Sequence, residues 1–106
     1  MKAGRNYYDD LIEDLKNPKE AAAYLNAALE AGDKKAFLLA LRNVLEACGG
    51  MTKVSRHARL NRVSLYKILS KDGNPELNSI IALLDVAGIR LQMVPKSPGK
   101  THQKAA

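Results

Sequence analysis

Apolar residues recur at three- and four-residue intervals through most of the chain, and the breaks between these runs carry turn chemistry. A 3.6-residue period is the mark of helices that bury one face. Residues 7–16, YYDDLIEDLK, form a short amphipathic run: Leu11, Ile12 and Leu15 can cover a surface, ringed by Asp9, Asp10, Glu13 and Asp14. Asn17-Pro18 then reads as a helix start, because Asn caps a first turn and Pro fits its first position. The helix continues through EAAAYLNAALEA with Tyr24, Leu25, Ala28 and Leu29 on one stripe, and Gly32 ends it. Asp33 caps the next helix, Lys34 to Ala47, in which Phe37, Leu38, Leu41, Val44, Leu45 and Cys48 repeat at helical spacing. This is the most hydrophobic helix and is expected to form the core. Gly49-Gly50 stops it and turns the chain.

Residues 51–69, MTKVSRHARLNRVSLYKIL, come next. Val54, Ala58, Leu60, Leu65, Ile68 and Leu69 supply apolar positions for two short helices, one from about Met51 to Arg59 and one from Arg62 to Ser70 with Asn61 as its cap. Lys53, Arg56, Arg59, Arg62 and Lys67 supply charge, with no Asp or Glu among them. A short helix, a sharp turn and a second helix with a polar N-terminal face is the layout of a helix-turn-helix DNA reader. Residues 71–75, KDGNP, are a loop by every local signal. Asn78 is the expected cap of a last helix, with Leu77 as its hydrophobic staple and Ile80, Ile81, Leu83, Leu84 and Val86 making it apolar nearly all round. After Gly88 the period drops to two: Ile89, Leu91 and Met93 alternate with Arg90, Gln92 and Val94. Such a segment pairs with a second copy, pairs with another protein, or lies flat as extended chain. From Pro95 the chain is polar and disorder is expected.

Length and composition narrow the choices. At 106 residues there is room for one domain, and 46% hydrophobic content with 5% aromatics calls for a core of Leu, Ile, Val and Ala. No apolar run approaches the about 20 residues of a membrane span, and MKAGRNYYDD has no signal-peptide core, so the expected location is the cytoplasm. One cysteine excludes an internal disulfide; Cys48, on the apolar face, reads as a buried structural thiol. The net charge of +6 is unevenly placed: residues 1–50 carry −1 and residues 51–106 carry +7. A basic half suits a polyanion.

In a DNA reader of this layout the second helix enters the groove by its N-terminal end, so Asn61, Arg62, Val63, Ser64 and Lys67 lie nearest the bases. Arg62 can take a guanine by two hydrogen bonds and Val63 can touch a thymine methyl. Thr52 and Lys53, at the start of the first helix, are expected on phosphate, as are Arg56 and Lys71. Tyr66 either stacks on the backbone or packs in the core. His57 has no partner at metal-ligand spacing, so no metal or other cofactor is expected, and nothing catalytic accompanies the carboxylates near the N-terminus, so no enzyme is expected. Two-fold pairing doubles the contacts on a palindromic site, which predicts a homodimer on double-stranded operator DNA. Ile89, Leu91 and Met93 are candidates for its interface, with the last helix as the competitor.

The block from Tyr24 to Met93 resembles the addiction-module antidote family, HigA-like antitoxins with an Xre/Cro-type helix-turn-helix. The residues that carry the likeness are Tyr24-Leu25-Asn26 with Ala27-Ala28-Leu29, the Gly32-Asp33 joint, Leu65-Tyr66-Lys67, and Gly73-Asn74-Pro75. Two positions depart from the pattern: Arg59 stands where Gly is common at the turn, and Ser55 where Ala is common. The resemblance implies an all-α, five-helix, lambda-repressor-like helix-turn-helix domain, with room for one short C-terminal strand. It also implies dimerisation, autorepression, and neutralisation of a small RelE/HigB-like toxin. The chain then divides into an acidic segment over residues 1–17, the domain over 18–94, and a disordered basic tail over 95–106. A toxin that handles RNA needs a basic surface, which Asp9, Asp10, Glu13 and Asp14 can cover; the same residues also read as a solvated face. The alternatives are a stand-alone Cro-like prophage repressor without a toxin, and a protein-interaction module whose basic patch meets something other than DNA.

Overall fold

The computed structural model describes residues 6–97. It is all-α, with the helices α1 (Tyr7–Asp14), α2 (Pro18–Glu30), α3 (Lys34–Ala47), α4 (Met51–Ala58), α5 (Arg62–Ile68) and α6 (Leu77–Val86). The five helices expected of the domain are α2 to α6. Residues 7–14 add one more in front, capped by Asn6, whose Oδ1 accepts the Asp9 N–H at 2.8 Å. This helix packs on α3, with Leu11 partly buried against the core and Leu15, just past its end, fully within it.

Local chemistry sets most boundaries. The Asn17 side chain accepts the N–H groups of Lys19 and Glu20 at 2.8 and 3.4 Å, and Pro18 takes the first helical position. Asp33 accepts the Lys35 N–H at 2.9 Å to open α3. Helix α3 is the centre: Leu38, Leu41, Val44 and Leu45 are fully enclosed, and α1, α2 and α4 pack on it. The chain leaves it through Gly49 and Gly50 at φ +113° and +92°, where a Cβ on Gly49 would run into the Lys53 side chain. Helix α4 then packs against both α5 and α6 through Met51 and Val54.

Three local expectations are corrected. Helix α6 starts at Leu77 with Glu76 as its cap residue, not at Asn78, and no side-chain cap bond is made there. The first intrahelical bond of this start runs from the Ile80 N–H to the Glu76 carbonyl at 3.1 Å. Leu77 is 64% exposed, so it staples nothing. No strand occurs among the described residues; the segment from Ile89 forms no regular structure and is tied at its start by the Ile89 N–H to the Leu84 carbonyl at 2.9 Å. Residues 1–5 and 98–106, including most of the tail expected to be disordered, lie outside the described residues. Among the described residues no helix is long and apolar enough to cross a membrane.

Candidate nucleic-acid interface

Helices α4 and α5 are joined by Arg59, Leu60 and Asn61. Arg59 adopts the left-handed conformation, φ 58° and ψ 40°. The Leu60 N–H then reaches the Ser55 carbonyl at 2.9 Å and the Arg59 N–H reaches the Arg56 carbonyl at 3.3 Å. This pair of bonds is the Schellman arrangement, which satisfies the last carbonyls of α4 and redirects the chain. Glycine is the usual occupant of the left-handed position, and Arg59 holds it at some cost. Ser55 is buried where α4 turns inward, and its hydroxyl donates to the Thr52 carbonyl at 2.9 Å, so it is satisfied without a partner outside the helix.

Asn61 opens α5. Its Oδ1 accepts the N–H groups of Val63 and Ser64 at 2.8 and 3.2 Å. The side chain is therefore locked to the backbone, and only its Nδ2 amide remains to donate outward. A two-bond contact to adenine needs both ends of the amide, so Asn61 offers only the N–H donors of its Nδ2. Arg62, Val63, Ser64 and Lys67 are exposed together with it, Val63 at 75%, while Leu65 and Leu69 of the opposite face are buried. The buried pair fixes which way the helix presents the rest. Between Met51 and Lys71 there are six Lys or Arg residues and no carboxylate.

Helix α4 opens differently. Its cap residue, Gly50, has no side chain, so no side chain caps the first turn and its backbone N–H groups stay open. Thr52 and Arg56 stand one turn apart and exposed. Lys53 instead lies over Gly49 and lines a depression with Cys48, His57 and Asp85. Burial pushes the Cys48 thiol above its ordinary pKa range, with the nearby Lys53 charge pulling the other way. Lys71 lines a separate depression with Lys35, Arg42 and Leu69. The four phosphate candidates thus stand at three places around the α4–α5 unit.

Tyr66 does not fill the core. It is 38% exposed, and the guanidinium carbons of Arg42 and Arg62 lie 5.5 and 5.8 Å from its ring centre. Arg42, on α3, is a residue that the sequence pattern does not single out, since only the fold brings it to α5.

The other candidates are placed as follows. Asp9 and Glu13 line a shallow depression on α1 with Tyr8, Ile12, Lys16 and Glu46 of α3; Asp14 is exposed and Asp10 half-buried. Glu13 pairs with Lys16 at 3.0 Å. Glu46 joins this acidic group only through the packing of α1 on α3. Ile89 and Leu91 line an apolar groove with Leu25, Leu29, Phe37 and Leu84, whereas Met93 points away from it and is 84% exposed. Among the described residues no three His, Cys, Asp or Glu side chains gather as a metal ion would require.

A sequence model of the family described as "probable addiction module antidote protein" matches residues 7–95. An uncharacterized protein of Haemophilus influenzae (strain Rd) is 30% identical over 84 residues, which cover 79% of this chain and 86% of that protein. No solved structure matches. The match runs from α1 through the segment that follows α6, and the chain belongs to the family of probable addiction module antidote proteins.

Proposed function

We propose that this protein is the antitoxin of a toxin–antitoxin module, binding operator DNA as a dimer through a helix-turn-helix formed by α4 and α5, and neutralising a small RelE/HigB-like toxin by direct contact in the cytoplasm. Membership of an antidote family supports the antitoxin role and implies a toxin in general. One observation carries the DNA-binding half: a recognition-type helix whose exposed N-terminal face holds Arg62, Val63, Ser64 and Lys67 on an acid-free, basic unit. That face suits major-groove base edges, and Thr52, Lys53, Arg56 and Lys71 around it suit phosphates. The protein acts by binding and not as a catalyst. Two copies double the contact on a palindromic operator, with Ile89 and Leu91 at the mouth of their groove and exposed Met93 as interface candidates.

The test is a mobility-shift titration on the promoter upstream of the gene. Arg62→Ala and Lys67→Ala are expected to abolish the preference for that promoter over a scrambled duplex. Unchanged preference in both variants would refute the base-reading role, and a wild-type chain that binds neither duplex would refute DNA binding. For the toxin, the acidic group on α1 is the proposed contact. The variant Asp9→Asn, Asp10→Asn, Glu13→Gln, Asp14→Asn leaves Leu11 and Leu15 in place, and its melting curve by circular dichroism separates loss of charge from loss of folding. Co-expression with the toxin encoded beside the gene should then restore toxicity; full protection by the variant would exclude this surface.

A further inference from the structure

Tyr66 is the sole Tyr, Phe or Trp between Met51 and Lys71, and two guanidinium groups converge on it. Like charges gathered round one ring repel each other. The ring's π face offsets part of that repulsion, and an anion would offset the rest. Among the described residues no ion pair with a carboxylate supplies that anion. Glu46 stands one turn beyond Arg42 on α3, in the less favourable order for such a pair, and none is formed. Arg42 turns to the α5 ring instead. A second observation extends the patch: Arg42 lines a depression between α3 and the end of α5 together with Lys35 and Lys71. Its one carboxylate, Asp33, has an oxygen engaged in capping α3. From Arg62 through Tyr66 and Arg42 to Lys71, cations thus form a continuous strip that leaves the α4–α5 unit and crosses onto α3.

We propose that α3 takes part in holding the nucleic acid. Arg42, with Lys35 and Lys71, grips the sugar–phosphate backbone of duplex DNA beside α5, and Tyr66 is a positioning residue that holds Arg42 and Arg62 on the bound side. This rests on the DNA-binding reading above and enlarges its footprint beyond the two helices that define it. Guanidinium groups suit this task because their planar fork matches phosphate oxygens. An aromatic platform removes rotamer freedom before binding, so less is lost on contact.

The full chain is titrated with its own promoter duplex and with a scrambled duplex of equal length, between 50 and 200 mM salt. Each neutralised phosphate contributes about −0.9 to the slope of log K against log salt, so over that fourfold rise wild type is expected to lose about 3.5-fold more affinity than Arg42→Gln. Arg42→Gln is expected to weaken both duplexes by the same factor, since a backbone contact carries no sequence information. Tyr66→Phe is expected to bind like wild type and Tyr66→Leu to bind both duplexes more weakly. Melting curves by circular dichroism restrict each comparison to temperatures where the variant is folded. Wild-type affinity and slope in Arg42→Gln overturn the proposal while leaving DNA binding intact. Equal loss in Tyr66→Phe and Tyr66→Leu overturns the positioning role. A wild-type chain that binds neither duplex removes the reading beneath it. Unchanged DNA binding by Arg42→Gln with weakened binding of a polyglutamate peptide overturns it in favour of an acidic protein partner.

Discussion

Replacing Arg59 with glycine should make this protein more stable. Arg59 is the one non-glycine residue with positive φ among the described residues. A left-handed conformation brings the Cβ of an L-residue against the following carbonyl and costs about 1–2 kcal/mol. Glycine removes that contact but gives the unfolded chain more freedom, which takes back about 0.5–1 kcal/mol. The side chain is exposed, so little packing is lost. The net gain for Arg59→Gly is therefore about 0.5–1 kcal/mol, a rise of roughly 2–8 °C in Tm for a domain of this size. Arg59→Ala is the control, because it removes the same charge and keeps the strained backbone, and it should lie within about 0.5 kcal/mol of wild type. Arg59→Asn should fall between them, since Asn tolerates this region. Urea unfolding followed by circular dichroism gives all three, with an unchanged m-value showing that the unfolded state is comparable. The bonds from the Arg59 and Leu60 N–H groups are backbone bonds, so the angle between α4 and α5 should survive. A glycine variant no more stable than the alanine variant would refute the reasoning, because it would mean that the turn stores no strain.

Asn61→Ala removes the acceptor for the Val63 and Ser64 N–H groups and should cost about 1 kcal/mol, while Asn61→Asp keeps the cap; thermal melts separate the two. Gly73→Ala should destabilise by about 1–3 kcal/mol, since its Cβ would press on the Ile68 and Ser70 backbone carbonyls, which cannot swing aside as a side chain can; the midpoint of urea unfolding reads it. The burial-raised pKa of Cys48 sets a pH dependence. Folding favours the protonated thiol, so this contribution is complete below the thiol's unfolded pKa and falls as pH climbs through it toward the folded value. Melts from neutral to alkaline pH should show a steeper decline in the wild type than in Cys48→Ala, and alkylation of the native thiol should be slower than in urea.

What could be read from the chain follows the range of the forces involved. The caps at Asn17, Asp33 and Asn61 act across two or three residues, and each appears where the local rule puts it. The bounds of α3 follow in the same way from Asp33 and the glycine pair. The start of α6 departs from the same rule: the helix begins at Leu77 with Glu76 at its cap, and the capping preference of Asn78 goes unused. Gly73 reads as an ordinary loop glycine; only the folded backbone shows the Ile68 carbonyl where a Cβ would be. The alternating segment from Ile89 has the period of a strand, but a strand is a pairing, and among the described residues it has no partner strand.

Charge is the clearest case of a one-dimensional count missing a three-dimensional fact. Divided at residue 50, the chain splits into a slightly acidic and a strongly basic half, and α3 falls in the acidic one. Yet Arg42 of α3 reaches the α5 ring and shares a depression with Lys71, while Glu46, one turn later, lines the depression with Asp9 and Glu13 of α1. Four residues rise only about 6 Å along a helix, so the two candidate surfaces meet on a single turn of α3. The periodicity that identified this helix weighs apolar positions and averages over its flanks. It can mark Arg42 and Glu46 as outside the buried stripe, but which neighbour each meets depends on where α1 and α5 pack, residues 30 or more positions away from Glu46 on one side and 20 or more from Arg42 on the other. The basic surface is therefore a property of the packed helices and not of the C-terminal half, and a search for its members has to include α3.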